Sequence, residues 1–128
     1  MSTNYLLSDM LIRIKNGQKA GITKIKVVNS KLCRKVLHKF FKAGFLKNDY
    51  TISSNHIIIE LNYFNNQINF NNISVVSTPG RRVYISVKYL WELEKDFGVY
   101  ILSTPKGIKT NKEALLLNVG GELLCKIS

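Results

Sequence analysis

The apolar residues of this chain change period along its length, and that change limits the folds open to it. Leu7, Met10, Leu11 and Ile14 recur at i, i+3, i+4 and i+7, the spacing of one helical face. Ten residues later Lys24, Ile25, Lys26 and Val27 alternate, as a half-buried strand does. From Ser30 the helical period returns. Cys33, Val36, Leu37, Phe40 and Phe41 form a wide apolar stripe, and the Ser30 hydroxyl is placed to accept an amide of the first turn. Gly17 and Gly44 are expected to stop the two helices. "GFLKNDYTISSNHIIIELNYF" then reads as two strands around a Ser-Ser-Asn turn. Helix-strand-helix-strand-strand is an α+β order.

The second half is mostly strand, with "ISVVS", "VYISV", "VYILS" and "ELLCKI" as the candidates. Pro79-Gly80 suits the middle of a type II turn. "KYLWELEKDFG" is a connection compatible with a helical turn. One short helix is expected before the last strand. Thr110 and Glu113 have capping-box spacing, Ala114, Leu117 and one of Leu115 or Leu116 supply its apolar face, and Asn118 ends it.

Charge narrows the function. The 128 residues are 45% hydrophobic, enough for a core, yet carry 19 Lys and Arg against 8 Asp and Glu, a formal +11. Such an excess puts a potential several kT deep over parts of the surface, which a polyanion neutralises. Nucleic acid is the first candidate and an anionic membrane surface the second. No stretch approaches the roughly 18 apolar residues that cross a bilayer. The start resembles neither a secretory signal nor an import extension, so use in the compartment of synthesis is expected. Cys33 and Cys125 read as buried, reduced thiols. Abundant Lys, Asn and Ile point to an A/T-rich genome.

Enzymatic chemistry finds little footing. The stretch "ILSTPKGIKTNKEALLLNVGGELLCKI" has the composition of an anion-holding loop. It lacks both the G-x-x-x-x-G-K-[ST] and the G-x-G-x-x-G patterns by which enzymes cradle phosphates. Cys33, His38, His56 and Cys125 are scattered, without the paired spacing a zinc site wants, so no metal, no cofactor and no small-molecule substrate is expected. A Cys125–His56 nucleophile pair and acid/base work by Glu92, Glu94 and Asp96 are outweighed by strand interior and solvated loop. Nucleic-acid binding has support. Ser103 and Thr104 offer hydroxyls, Gly107 allows close approach, and Lys106 and Lys109 supply charge. Lys31, Lys35, Lys39 and Lys42 share one helix face, which reads more readily as solvated surface than as a phosphate contact. Composition does not separate RNA from DNA.

Taken in order, "SDMLIRIKNGQ", "SKLCRKVLHKFFKAGFL", "STPGRRVY", "ILSTPKGIKTNKEA" and "NVGGELLCKI" resemble the family of the universal small-subunit ribosomal protein number eight, over roughly residues 4 to 127. The resemblance implies two packed α+β subdomains. These are residues 1–64, helix-strand-helix-strand-strand, and residues 65–128, a mostly antiparallel, RNA-binding sheet with one short helix. It implies a non-enzymatic primary binder of small-subunit ribosomal RNA, docked on a central-domain stem early in assembly. Ser103, Thr104, Lys106, Gly107 and Lys109 are the implied contacts, with Gly120, Gly121 and Glu122 shaping the adjoining surface. Arg13, Lys15 and Asn16 match the basic end of the first helix, which in relatives lies against RNA. Arg81 and Arg82, which follow "STPG", are further expected RNA contacts, and Arg81, in place of a usual leucine, restores some of the charge. Pro105 stands where the family has serine, Leu115 where arginine is common, and Asp96-Phe97 at a small-residue turn. Small-subunit protein number five is the implied neighbour. The departures fit a mitochondrial, organelle-encoded member, with bacterial cytoplasm or plastid as alternatives. Free RNA-binding regulator and nucleotide-processing enzyme are the alternative functions.

Overall fold

The computed structural model describes residues 3–46, 48–61, 63–64, 67–68, 73–78, 80–95 and 98–127. The chain divides into two compact units, residues 1–71 and 72–128. Both are mixed helix and antiparallel sheet, so the fold class is α+β.

In the N-terminal unit the order is α1 (Thr3–Ala20), β1 (Lys24–Val28), α2 (Lys31–Lys42), β2 (Thr51–Ser53), β3 (His56–Glu60), β4 (Tyr63–Phe64) and β5 (Gln67–Ile68). The first three strands form a sheet in the order β1-β3-β2, with Lys24 opposite Glu60 and Ile58 opposite Thr51, while β4 and β5 pair with each other. α1 packs on β1 and on α2. The stripe of α1 is buried at Leu7, Met10, Leu11 and Ile14, and that of α2 at Cys33, Val36, Leu37 and Phe40. Withdrawing a side chain the size of Phe40 from water contributes about 2–3 kcal/mol.

Two local expectations fail here for physical reasons. Gly17 does not end α1 but lies inside it, because Ile25 and Leu61 press on that point. A Cβ on Gly17 would stand 2.6 Å from Ile25 Cδ1 and 3.2 Å from Leu61 Cδ1. The stop comes at Gly21, whose positive φ of 72° turns the chain. Its amide bonds the Gln18 carbonyl at 3.2 Å, and the Ile22 amide bonds that of Gly17 at 2.9 Å. Ser30 stands at the N-cap of α2, yet its hydroxyl caps no amide. It hydrogen-bonds the Cys33 thiol instead, which partly offsets the upward push of burial on that thiol. Gly44 does stop α2, with the Gly44 and Phe45 amides bonded to the Phe41 and Phe40 carbonyls.

The C-terminal unit contains β6 (Ile73–Val75), β7 (Tyr84–Ile85), α3 (Val87–Leu93), β8 (Val99–Thr104), β9 (Gly107–Thr110), α4 (Asn111–Leu117) and β10 (Gly121–Ile127). Its sheet runs β6-β10-β8-β9, and β7 pairs with the start of β10. Among the described residues of this unit two helices stand rather than one. The strand expected over Val83 to Val87 is cut to two residues because the Ser86 hydroxyl accepts the Tyr89 amide at 3.4 Å and starts α3. α3, α4 and β8 close a core of Leu90, Leu93, Tyr100, Leu102, Ala114 and Leu123, with Val83, Ile85, Leu115 and Val119 packed on it. β10 carries a bulge, since Leu123 faces Leu102 while Cys125 faces Ile101. The extra residue breaks the strand's alternation, so Glu122 to Cys125 are all buried. Pro79, and with it the expected type II turn, lies outside the described residues, as does the Asp96-Phe97 departure.

Candidate nucleic-acid interface

The expected loop at residues 103–107 is the tip of a β-hairpin. Gly107 to Thr110 fold back on β8, with Thr104 paired to Gly107 and Ser103 to Ile108, so only Pro105 and Lys106 turn the chain. Proline presets the first corner of such a turn, and Gly107 leaves it with φ +111°. Thr104 locks the tip. Its hydroxyl donates to the Gly107 carbonyl at 2.7 Å and accepts the Lys106 amide at 3.2 Å. Thr104 is 9% exposed, so the structure commits its hydroxyl to building the hairpin. Ser103 is half-buried, Pro105 and Lys106 are exposed, and Gly107 and Lys109 are half-buried.

The glycine doublet brings β10 onto this hairpin. Glu122 pairs with Ser103 on one side and with Tyr84 on the other. A Cβ on Gly121 would collide with the Ser103 carbonyl oxygen, and one on Gly120 would stand 2.5 Å from the Ile85 carbonyl oxygen. Only residues without a side chain let three backbones converge there. One end of the sheet thereby collects Ser103, Thr104, Lys106, Gly107, Gly121 and Glu122. Lys109 lies further along edge strand β9, opposite Leu102.

The capping box of α4 is present. The Thr110 amide donates to Glu113 Oε1 at 3.0 Å and the Glu113 amide to Thr110 Oγ1 at 3.3 Å. Asn118 ends the helix in the left-handed conformation, φ 57°. The apolar face differs from the expected one. Asn111 and Ala114 are buried and Leu115 packs on the core, while Leu117 is exposed. The Asn111 side chain sets that rotation by accepting the Tyr100 amide at 3.2 Å. Leu115, where the family commonly has arginine, therefore faces the core.

Arg81 and Arg82 are exposed. Thr78 and Arg81 exchange backbone hydrogen bonds of 3.0 and 3.1 Å, and two residues on, Val83 takes the Leu123 amide at 2.8 Å. The arginines thus precede the strand that faces Glu122. Ser77, which the sequence did not single out, holds this corner: its hydroxyl donates to the Leu123 carbonyl at 2.6 Å and accepts the Val83 amide at 3.0 Å. A serine in an apolar strand was the available signal. Arg13, Lys15 and Asn16 lie on α1, in the N-terminal unit. Arg13 Nε donates to Asp9 Oδ2 at 2.9 Å.

Cys33 and Cys125 are free and buried. Burial pushes the Cys125 thiol up to about 12, which holds it protonated and inert as a nucleophile. Glu92 pairs with Lys95 at 3.5 Å on the surface, and Glu94 is exposed. Among the described residues, no group of three or more His, Cys, Asp or Glu is placed to hold a metal ion, and no helix is long and apolar enough to cross a membrane.

Comparison with known proteins adds an independent line. The family model described as ribosomal protein S8 matches residues 6–128. The small ribosomal subunit protein uS8m of Acanthamoeba castellanii is 42% identical, over 96% of this chain and 98% of that protein. The uS8 proteins of Bartonella bacilliformis and Orientia tsutsugamushi are 41% and 38% identical, each over 99% of both chains. With the converging hairpin and glycine doublet in the segments that carried the resemblance, and a match over nearly every residue, this chain belongs to the ribosomal protein S8 family.

Proposed function

We propose that this chain is a structural, non-catalytic constituent of the small ribosomal subunit that binds ribosomal RNA in its central domain and supports assembly and translation. The observation that carries this reading is the sheet end where the β8–β9 hairpin meets the start of β10. With Thr104 consumed in the turn, Ser103 and Lys106 are the side chains offered outward, and Gly107 admits a close backbone. Gly120, Gly121 and the buried Glu122 shape the adjoining surface. A folded RNA presents 2′-hydroxyls and base edges in a shallow minor groove, which such a compact knob can enter. Long-range attraction of the +11 chain captures the polyanion, and the hairpin then sets the register.

Arg81 and Arg82 extend the charge beside the hairpin, and Arg13, Lys15 and Asn16 on α1 supply a separate contact. Small-subunit protein number five is the proposed protein neighbour. The abundance of Lys, Asn and Ile, residues with A/T-rich codons, and the similarity to a protein named uS8m support a mitochondrial, organelle-encoded setting. Co-sedimentation tests the assignment, because a constituent travels with the small subunit at one copy per particle through a high-salt gradient. Recovery of the chain only in the free fraction would overturn it.

A further inference from the structure

We propose that the exposed face of α2 is a second polyanion-binding surface, one that follows the phosphates of an RNA duplex independently of the hairpin in the other unit. Charge is divided unevenly along the chain. Residues 1–71 hold eleven Lys and Arg against three Asp and Glu, a net +8 of the total +11. The three carboxylates are engaged elsewhere: Asp9 with Arg13, Asp49 with His38, and Glu60 with the Asn48 amide. α2 itself contains no acidic residue. Lys31, Lys35 and Lys42 are exposed, and at 100° per residue they fall within about 40° of one another around the helix. Among the described residues, nothing forms an ion pair with these three ammonium groups. The stripe runs about 16 Å at 1.5 Å rise per residue, long enough to meet several phosphates of a duplex.

The arrangement works against the helix taken alone. Lys31 occupies the first turn, at the positive end of the helix dipole, and Lys31 and Lys35 are like charges four residues apart. A polyanion on that face turns both placements favourable. A lipid surface is the poorer fit, because an interfacial helix needs an apolar face to insert. Here Cys33, Val36, Leu37 and Phe40 are all 0% exposed, consumed by the protein's own core.

The inference rests on the chain being an RNA binder, and the test separates the two. The full chain is titrated with an RNA duplex of arbitrary sequence, about 20 base pairs long, and with vesicles of phosphatidylcholine and phosphatidylserine at about 3:1. The combined variant Lys31→Gln, Lys35→Gln, Lys42→Gln is compared with the same three positions changed to Arg and with Lys106→Ala. Circular dichroism checks that helix content is retained. Three lost phosphate contacts flatten the plot of log K against log salt by about 2.7, so the parent loses about 40-fold more affinity than the Gln variant between 50 and 200 mM salt. The Arg variant keeps the parental slope. Equal slopes for parent and Gln variant, with Lys106→Ala still weakening binding, would overturn the α2 surface and leave the proposed function standing. A Gln variant that loses vesicle binding while keeping duplex binding would overturn it in favour of a membrane. A parent that ignores the duplex even at 50 mM salt would overturn the α2 surface alone, because the ribosomal assignment is decided separately by co-sedimentation with the small subunit.

Discussion

Replacing Gly121 by alanine probes the point on which the hairpin depends. A Cβ built there collides with the Ser103 carbonyl oxygen and lies 3.0 Å from the Ser103 carbonyl carbon and 3.1 Å from Thr104 Cα. All three atoms are backbone, so no rotamer change relieves the contact, and β8 must move away from β10. Overpacking of this kind costs about 1–3 kcal/mol, and each ladder hydrogen bond that opens removes about 0.5–1.5 kcal/mol more. Alanine returns about 0.4–1 kcal/mol by restricting the unfolded chain. The net expectation is a loss of about 2–3 kcal/mol, which in a unit this small lowers the melting temperature by about 10–20 °C. Gly80→Ala is the control, because nothing lies within 4 Å of a Cβ placed there. The assay is thermal melting of both variants, joined to RNA binding well below the lower transition. Because the displaced atoms belong to Ser103 and Thr104, affinity falls even where the protein remains folded. A Gly121→Ala protein that melts within about 2 °C of the parent would refute the close approach of the strands. Lower stability with unchanged RNA affinity would refute the link between strand spacing and recognition.

Other expectations follow from single groups. Lys106→Ala weakens RNA binding and reduces the salt slope by about one unit, read by filter binding over a salt series; an unchanged slope places Lys106 in solvent. Thr104→Val keeps the shape but leaves the Lys106 amide and Gly107 carbonyl without their partner, a cost of about 1–3 kcal/mol measurable by urea unfolding. Equal stability would show that the hydroxyl does not hold the turn. Burial in the folded state pushes the Cys125 thiol from its ordinary 9.0 up to about 12. The folded state therefore holds its proton more tightly: stability is unaffected below pH 9 and falls as pH rises through the window toward 12, by about 1.4 kcal/mol per unit. Denaturation at pH 8 and pH 10 should show a larger drop for the parent than for Cys125→Ala, and parallel drops would mean the thiol is solvated.

Periodicity and local chemistry determined much of this protein from sequence alone. The buried faces of α1 and α2, the β2–β3 pair, the Thr110–Glu113 box and the Asn118 stop all depend on residues within a few positions of one another, where spacing is sufficient information. Tertiary packing decided the rest. Gly17 and Gly21 are equivalent as local signals, and only the pressure of Ile25 and Leu61 on Gly17 tells which is needed for closeness and which for a turn. Ser30 gave up its cap because a buried thiol lay within reach. Gly107 to Thr110 became a strand because β8 was there to pair with it, and the face of α4 was turned by one hydrogen bond from Tyr100. The same holds at the candidate interface. The sequence names Ser103, Thr104 and the glycine pair, but only the fold assigns Thr104 to the turn, Ser103 to the surface and Gly121 to the gap between strands. Hydrogen-bond partners and steric contacts far apart in the chain are set by where the backbone returns, and no local pattern contains that.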